Sequence, residues 1–478
     1  MHPALRTTPA PARPSQGASR RIPLAFAALL GACGGQQTAG VGPPAATRAP
    51  PNVIVISLDA VRYDRTGLGP APTPWTPNLD RFARDAVVFH QAASAAPWTV
   101  PSHMAMWTGR WPTRHGLVNK LRPDVATGGT VEATLDPAIE TFPDRLRAAG
   151  YTAVAFTGGA GVSGRFGFGR GFATYLDDRR FAGMDYSAPP AVAWLRARAS
   201  DARPFFMFLH GYDVHGQQPL PGLDRAAIAP GYRGALDGSI EENARLRERG
   251  LSAIRTPGEA ASLRGVIDAD DGRFLRDVYD RKLALADQRF GAFVDELRAR
   301  DLLDRSIVAV VSDHGDEFME HGHVDHGHTL YEEQLHVVMM IRYPRGEGRR
   351  AVRSPARTLD LFPTIFDALG LRGPDGVDGE SLRVDAPTAR PVFAETDYRL
   401  FVHQRMVRVG DYKLILDMGD DEVTMFDLAR DPGETVNLAA RDPDRRASME
   451  RMLDAWLGRQ QTRRDAYLGV RESHITLF

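Results

Sequence analysis

Cysteine and lysine are nearly absent from this chain of 478 residues. The single cysteine, Cys33, rules out an internal disulfide and a zinc site built from several thiolates. Lysine occurs only at Lys120, Lys282 and Lys413, so arginine carries nearly all the positive charge. Because 59 Lys and Arg residues balance 60 Asp and Glu residues, the chain has no strongly basic field, and we expect no nucleic-acid partner.

Acidic residues are missing from the N-terminal segment, where the first one is Asp59. Arginines at positions 6, 13, 20 and 21 precede an apolar run, Ile22 to Leu30, that is too short to span a bilayer. A basic start, a short apolar run and small residues after it are typical of a secretory signal peptide.

The apolar run ends in Leu30-Gly31-Ala32-Cys33, which resembles a bacterial lipobox. The resemblance implies cleavage before Cys33 and lipidation of its thiol. We therefore expect a lipoprotein signal peptide at 1–32 and a flexible tether, rich in Gly, Ala, Pro and Thr, at 33–51. The expected location is the bacterial cell envelope, with a lipid-anchored protein facing the periplasm.

The remaining sequence alternates apolar runs with helical patterns. The first run, Asn52–Leu58, is β-branched and nearly all apolar, as in a strand buried on both faces of a parallel sheet. Alternation of strands and helices over this length favours an open α/β sheet, whose chemistry gathers at the carboxyl ends of its strands. Further strands are predicted at 152–156, 205–209, 307–312 and 337–341, and helices at 76–86, 142–149 and 272–303.

The pattern changes near Pro387. Short alternating strands at 392–394, 406–409 and 412–416 precede one helix at about 445–459, which predicts a small α+β subdomain. We expect a catalytic α/β domain at 52–388 and a C-terminal subdomain at 389–478. Residues 216–270 show no clear period and are interpreted as an insertion near the site or a mobile excursion.

Polar residues suited to chemistry follow three of the predicted strands. Asp59 follows the first strand, His210 to His215 follow the run at 205–209, and Asp313-His314 follow the run at 307–312. Carboxylates and an imidazole at neighbouring strand ends are suited to a divalent cation, although such residues also cap loops. Thr99, next to Pro101 at the start of a predicted helix, is either a helix cap or a nucleophile in the positive field of the helix end.

Seen together, the motifs resemble the sulfatase family of the alkaline phosphatase superfamily. They are N-V-I-V-I-S-L-D, T-P-N-L-D-R-F, P-S-H-M-A-M-W-T-G-R-W-P-T-R-H-G, D-V-H, S-D-H-G-D-E-F, H-G-H-T-L-Y-E-E, G-D-Y-K-L-I and D-P-G-E-T-V-N-L, in this order from Asn52 to about Leu457. The resemblance implies a large, mainly parallel α/β domain with a small C-terminal subdomain. It also implies one divalent metal ion and hydrolysis of sulfate esters or related phospho-esters.

The resemblance also implies roles for individual residues. Those implied as metal ligands are Asp59, Thr99, Asp313 and His314. Thr99 occupies the position of the nucleophile, and His215 and His326 are implied as catalytic residues, with His328 an equally possible register for the latter. The residues implied in substrate binding are His103, His115, Lys120 and Asp213. His321 and His323 are also possible ligands, but we interpret them as residues that shape the loop after Asp313.

Three departures from the family pattern bear on mechanism. Ala60 replaces the second of two adjacent aspartates on the first strand, and His314 replaces an asparagine that is often the last ligand. Thr99 replaces the Cys or Ser from which this family makes formylglycine, so no formylglycine is expected. The identity of the metal is left open among Ca²⁺, Mn²⁺ and Zn²⁺.

Two alternative functions remain open from the sequence. Thr99 favours a phosphodiesterase, a phosphonate monoester hydrolase or a transferase of phospho-head-groups, and a two-metal version would recruit Asp213, His215 and another histidine. The other alternative is an inactive lipoprotein that binds glycans. The expected substrate is the anionic ester of a small molecule, a glycan or a lipid head group.

Overall fold

In a computed structural model of the chain, the structure describes residues 49–71, 73–124, 127–198, 201–255 and 263–460. The predicted signal peptide, the lipobox cysteine Cys33 and most of the predicted tether lie outside the described residues. No helix in the described part of the chain has the length and apolar character needed to cross a membrane.

The strands and helices are numbered here in chain order. The strands are β1 Asn52–Leu58, β2 Val87–Phe89, β3 Ala92–Ala93, β4 Leu121–Pro123, β5 Thr130–Glu132, β6 Thr152–Phe156, β7 Thr174–Leu176, β8 Phe205–Gly211, β9 Ser306–Val311, β10 Glu317–Phe318, β11 Val324–Asp325, β12 Met339–Arg342, β13 Arg350–Val352, β14 Ala356–Arg357, β15 Val392–Thr396, β16 Gln404–Val409, β17 Tyr412–Asp417 and β18 Val423–Asp427. The helices are α1 Pro77–Ala83, α2 Thr99–Thr108, α3 Pro112–His115, α4 Phe142–Ala148, α5 Met184–Ala197, α6 Arg225–Ile228, α7 Ile240–Arg255, α8 Ala269–Arg298, α9 Glu332–Leu335, α10 Leu361–Leu369 and α11 Pro443–Arg459.

Eight strands form the central sheet in the order β13-β2-β12-β9-β1-β8-β6-β7. Within it, β9, β1, β8, β6 and β7 pair in parallel, and β12 is antiparallel to both of its neighbours. The predicted mainly parallel α/β fold is therefore confirmed. The five strands predicted from apolar runs correspond to β1, β6, β8, β9 and β12, with ends that shift by up to two residues.

Both faces of the central sheet are buried, which explains the continuous apolar runs. Along β1, Val53 and Val55 pack into one hydrophobic cluster while Ile54 and Ile56 pack into another. Successive side chains of a strand point to opposite faces, so only a strand covered on both sides conceals all of them. Because β1 lies between β8 and β9, the carboxyl ends of these three strands meet at the centre of one edge.

The C-terminal subdomain contains an antiparallel sheet in the order β15-β16-β17-β18, which confirms the predicted α+β class of this subdomain. Helix α11 packs on this sheet, where the Trp456 ring stacks on Phe393 with centroids 4.8 Å apart. Trp456 also meets Trp111, just before α3, edge to face at 5.6 Å. These contacts join the subdomain to the chain that follows α2.

Candidate active site

Helix α2 places Thr99 at the centre of the site. Thr99 is its first residue, and all ten residues of the helix are buried. Trp107 anchors the helix, with its ring 4.5 Å from that of Phe208 in β8. The Thr99 side chain therefore stands at a rigid helix N-terminus, where unpaired backbone N–H groups create a field that favours negative charge.

Asp59, Asp313 and His314 converge on Thr99 from the ends of β1 and β9. Candidate ligand atoms of these two aspartates and the histidine all lie within 4.8 Å of one another. The Thr99 hydroxyl donates a hydrogen bond to Asp59 Oδ2 at 3.2 Å and lies 3.4 Å from His314 Nε2. The backbone N–H of Ala60 donates to Asp313 Oδ1 at 3.1 Å, which joins the two strand ends.

Two carboxylate oxygens in this cluster are buried without a hydrogen-bond donor among the described residues: Asp59 Oδ1 and Asp313 Oδ2. His103 Nδ1 lies 3.2 Å from Asp313 Oδ2, but it hydrogen-bonds the Thr99 carbonyl at 3.0 Å. Burial and the neighbouring Asp313 carboxylate raise the pKa of Asp59 well above its usual value. Unpaired buried carboxylate oxygens beside an imidazole nitrogen are the donor set that a divalent cation requires.

The two aspartates differ in their electrostatic surroundings. Burial alone would raise the pKa of Asp313, but the imidazoles of His314 and His103 hold it below its usual value. His314 Nδ1 is fixed against the Gly315 carbonyl at 2.9 Å, which directs Nε2 towards Thr99. This bond orients the ring in the manner of the outer partners of metal-binding histidines.

His326 and His215 lie side by side next to His314. The centroid of the His326 ring lies 4.2 Å from that of the His314 ring and 4.9 Å from that of the His215 ring. Burial alone would lower the pKa of His326, but the carboxylates of Asp325 and Asp316 raise it well above its usual value. His326 Nδ1 lies 2.6 Å from Asp316 Oδ1 and 2.8 Å from Asp325 Oδ1, so the imidazolium is held in place.

His215 differs from His326 in charge. Burial and the nearby His326 cation lower its pKa well below the usual value, so the ring is neutral. Its Nδ1 accepts a hydrogen bond from the Gln217 backbone N–H at 3.3 Å. The proton of the neutral ring therefore resides on Nε2, which makes His215 a hydrogen-bond donor at that atom.

Lys120 is one of the residues implied in substrate binding. Burial, followed by the charges of Arg165, Arg180 and Arg247, lowers the pKa of Lys120 to about 8. The Asp59 carboxylate acts in the opposite direction and raises the pKa of Lys120.

Three other residues implied in substrate binding have protein partners instead. His103 belongs to α2 and is fully buried, and its Nε2 pairs with Ser57 Oγ of β1 at 2.8 Å. His115 accepts a bond from the Leu117 N–H on Nδ1, and its Nε2 lies 3.3 Å from the Pro101 carbonyl. These contacts support positioning of α2 rather than the substrate contact that we expected.

Asp213 also has protein partners. Its carboxylate accepts bonds from Arg289 Nη1 at 2.6 Å and from the Met184 backbone N–H at 2.9 Å. These bonds hold Asp213 against the first residue of α5 and against Arg289, and its implied role in substrate binding stays a prediction. A different second set, His314 with Asp316 and His326, has its candidate ligand atoms within 4.8 Å, but it shares His314 with the first.

Sequence reasoning gave no role to Asp316 or Asp325, and it named His210 only within the polar run 210–215 after a predicted strand. His210 is completely buried, Nε2 lies 3.6 Å from Asp59 Oδ2, and neither ring nitrogen has a hydrogen-bond partner among the described residues. Its signal in the sequence was its position at the end of β8, where it pairs in register with Ser57 of β1. Asp316 and Asp325 gave no signal, because their bonds to His326 depend on the fold of the loop between them.

The arrangement defines a class of protein: an α/β protein in which a threonine hydroxyl at a helix N-terminus lies beside a cluster of carboxylates and imidazoles at the ends of parallel strands. The sequence profile of the sulfatase family matches residues 51–371, and that of the N-sulphoglucosamine sulphohydrolase C-terminal region matches residues 319–462. The chain therefore belongs to the sulfatase family, and it is a hydrolase of the kind that acts on ester bonds.

Individual relatives are distant. Arylsulfatase K of Mus musculus is 23% identical over 455 residues, which cover 84% of this chain and 78% of that protein. A solved structure of a protein in complex with its substrate D-glucosamine-2-N,6-O-disulfate superposes with a TM-score of 0.65 at 19% identity, covering 86% of this chain and 98% of that one. The solved structure of the phosphonate monoester hydrolase of Agrobacterium radiobacter has a TM-score of 0.67 at 19% identity, covering 86% of this chain and 96% of that one.

Proposed function

We propose that this sulfatase-family protein is a metal-dependent hydrolase of anionic esters in which Thr99 is the nucleophile. The observation that carries the proposal is the position of the Thr99 hydroxyl, 3.2 Å from Asp59 Oδ2 and 3.4 Å from His314 Nε2 at the N-terminus of α2. A helix N-terminus stabilises both an alkoxide and an anionic ester. A threonine that served only as a helix cap would bond the backbone N–H groups of its own helix instead.

Asp59, Asp313 and His314, together with the Thr99 hydroxyl, would hold the divalent cation. The unpaired buried oxygens of Asp59 and Asp313 support this ligand set. When bound, the cation would lower the pKa of the Thr99 hydroxyl and polarise an ester oxygen. Because one ligand is an imidazole, Zn²⁺ or Mn²⁺ suits the set better than Ca²⁺, which prefers oxygen ligands throughout.

In the proposed reaction, Thr99 Oγ1 releases its proton to solvent and attacks the sulfur or phosphorus atom. A bond from Thr99 Oγ1 to that atom forms, the bond to the leaving-group oxygen breaks, and that oxygen takes a proton from the His326 imidazolium. Water then attacks the same atom and gives a proton to His326. The bond to Thr99 breaks and the Thr99 oxygen takes a proton from solvent, which releases the acid anion and restores the hydroxyl. His215 and the His326 imidazolium, which lie side by side, would donate hydrogen bonds to the ester oxygens as charge develops on them.

Turnover of a substrate panel tests this proposal. The panel contains an aryl sulfate, an aryl phosphate, a phosphodiester and a phosphonate monoester, each assayed with Zn²⁺, Mn²⁺ or Ca²⁺. Turnover of at least one ester that requires the added cation supports the proposal. A folded, metal-loaded protein that hydrolyses none of them would support the glycan-binding alternative instead.

A phospho-ester substrate is the second candidate, and Thr99 itself favours it. Formylglycine enzymes expel sulfate with the help of a second hydroxyl on the same carbon, which threonine lacks. A phospho-threonine, by contrast, is open to direct attack by water. The likeness in fold to a phosphonate monoester hydrolase is consistent with this candidate. A higher kcat/KM for the phosphodiester or phosphonate than for the sulfate would select it.

The likeness to a structure with a bound glucosamine disulfate supports a sulfated glycan or small molecule as the alternative substrate. Either class of substrate is an anion, so we propose that Lys120 binds it through its charge.

The charge of Lys120 makes substrate binding depend on pH. Because the pKa of Lys120 is about 8, the ammonium group is charged below that pH and loses its charge above it. The KM for an anionic ester is therefore expected to rise above pH 8 in the wild type. In K120R the rise should shift to higher pH, since arginine stays protonated up to a pH of about 12.

Lys282 provides the matched control for this measurement. Its pKa is also lowered to about 8 by burial, and its Nζ donates to the His215 carbonyl at 3.3 Å. A profile of KM against pH that shifts in K282R but not in K120R would assign the pH dependence to Lys282 and refute the role of Lys120.

We also propose that the protein is a lipoprotein of the cell envelope, on the strength of the lipobox that ends in Cys33. Expression in a bacterial host should give a membrane-bound product that begins at Cys33, with an intact mass that includes the acyl chains. C33A should appear in the soluble fraction at full length. An unmodified Met1 or a free Cys33 thiol in the wild-type membrane fraction would contradict this proposal.

A further inference from the structure

A second group of carboxylates and imidazoles lies apart from the candidate active site, in the segment between β10 and α9. Glu317 belongs to β10, His321 follows it in the turn before β11, and Glu333 belongs to α9. One candidate ligand atom from each of these three residues lies within 4.8 Å of those of the other two. With His328, they form what we call the His321 cluster, which shares no residue with the set of Asp59, Asp313 and His314.

The bonds of the cluster hold its ligand atoms in fixed positions. Glu317 is completely buried, and its Oε1 accepts the backbone N–H groups of His321 at 2.9 Å and His323 at 2.8 Å. His321 Nδ1 lies 2.6 Å from Glu333 Oε1, and its ring stacks on Tyr331 with centroids 3.5 Å apart. In a zinc site the bond between His321 Nδ1 and Glu333 Oε1 would give way to one bond from each residue to the metal, while Glu317 is already held by the two backbone N–H groups.

His328 provides an independent indication of a ligand. It is 4% exposed, and its Nε2 has no hydrogen-bond partner among the described residues. Nε2 points at Glu317 Oε2 from 3.6 Å, which is too long for a hydrogen bond. Two ligand atoms of a tetrahedral zinc ion, each about 2.1 Å from the metal, lie about 3.4 Å apart. The separation between these two atoms is therefore close to that of two ligands of one ion.

We propose that Glu317, His321 and Glu333 form a second, structural metal site that binds Zn²⁺, with His328, which faces Glu317, completing the ligand set when the ion is bound. Two carboxylates and two imidazoles match the ligand preference of zinc, and a dication neutralises the two buried carboxylates. The competing arrangement is an ion pair in which a protonated His321 neutralises Glu333 without metal.

The site would join two parts of the chain. His321 Nε2 approaches the Glu434 carbonyl at 3.4 Å, and the Glu434 carboxylate accepts the Glu332 N–H at 2.6 Å. Lys413 of β17 pairs with both Glu332 at 3.0 Å and Glu434 at 2.9 Å. A zinc ion in the cluster would therefore fasten the segment that carries His326 to the C-terminal sheet.

Metal analysis of the full chain tests this site separately from the catalytic one. D313N removes a ligand of the proposed catalytic metal, and H321Q removes one of the structural metal. After exposure to Zn²⁺ and desalting, D313N is expected to retain about one equivalent of zinc and the double variant D313N/H321Q none. Loss of one equivalent in D313N relative to the wild type concerns only the proposed function, and loss of the remaining equivalent on adding H321Q supports this site. A folded D313N variant that retains no zinc would overturn it.

H336Q in the D313N background is the matched control. His336 follows α9, but its Nε2 bonds the His90 carbonyl at 3.0 Å, so its replacement should leave the zinc content unchanged. Added Zn²⁺ should raise the melting temperature of D313N and of D313N/H336Q, but not that of D313N/H321Q. If H321Q does not fold, H328Q replaces it in every measurement. A folded H321Q or H328Q variant that keeps the full zinc content would overturn the proposal.

Discussion

Thr99→Ala is expected to abolish ester hydrolysis while the protein stays folded. The substitution removes the hydroxyl that stands 3.2 Å from Asp59 Oδ2 and leaves the buried apolar contacts of α2 in place. Loss of a nucleophile in a covalent mechanism lowers kcat by about 10⁴-fold or more. Steady-state kinetics on the best ester of the substrate panel, together with thermal unfolding, measure the two effects.

Two variants control for the effects of the substitution itself. Thr99→Ser keeps the hydroxyl and should retain measurable turnover. Thr108→Ala removes a hydroxyl from the same buried helix, where it bonds the Met104 carbonyl at 2.8 Å, and should leave kcat within a few-fold of the wild type. Wild-type turnover by Thr99→Ala would assign the nucleophile to another group.

Removal of the metal ligand Asp313 is expected to have a comparable effect on turnover. Asp313→Asn keeps the acceptor for the Ala60 N–H but replaces the charged, unpaired Oδ2 of the carboxylate. Without that charge, the cluster should lose its cation, and kcat/KM should fall by about 10³-fold or more, as when one group stabilising developing charge is lost. A chelator should produce the same loss in the wild type, and added Zn²⁺ or Mn²⁺ should reverse it there but not in the variant.

Asp287→Asn is the matched control for this experiment. Asp287 is also a buried carboxylate, but it accepts the backbone N–H groups of Asn78 and Leu79 at the start of α1, at 2.9 and 2.8 Å. Its replacement should lower the melting temperature and leave the response to chelator unchanged. Full activity of Asp313→Asn after exhaustive chelation would show that the reaction does not need the cation.

The central strands were predictable because strands buried on both faces have nearly continuous runs of apolar residues. In β1 and β9 every side chain but that of Asn52 is buried by the layers on both faces, so the runs are apolar apart from Asn52, Ser57 and Ser306. Strand β18 was missed, since its first two residues are half-buried and its apolar pattern is short. Helix α7 was missed because its charged sequence, Ile240–Arg255, contributes only a narrow apolar stripe to the protein.

The meeting of Asp59 with Asp313 and His314 followed from topology, whereas the family resemblance placed Thr99, the first residue of α2, with them. Residues at the carboxyl ends of adjacent parallel strands share one edge of the sheet, whatever the packing elsewhere. The direction of a side chain within that edge does not follow from topology. The side chain of His103 in α2 pairs with Ser57 of β1, and no local pattern reveals a partner 46 residues away.

The choice between His326 and His328 also required the folded loop. Gly327 stands between them with φ 97°, a left-handed conformation, and a Cβ there would lie 3.0 Å from the Tyr398 ring. This turn sends His326 towards His314, and His328 towards Glu317. Two histidines that were equivalent in the motif therefore belong to different clusters.

The most direct test of the account is the mass of the peptide that contains Thr99 during turnover. The protein is mixed with an excess of aryl sulfate or aryl phosphate, quenched in acid within milliseconds and digested. The account predicts a transient gain of about 80 Da on Thr99, the mass of a sulfuryl or phosphoryl group, that disappears when substrate is exhausted. Rapid turnover with Thr99 unmodified at every quench time, or with the added mass on another residue, would contradict it.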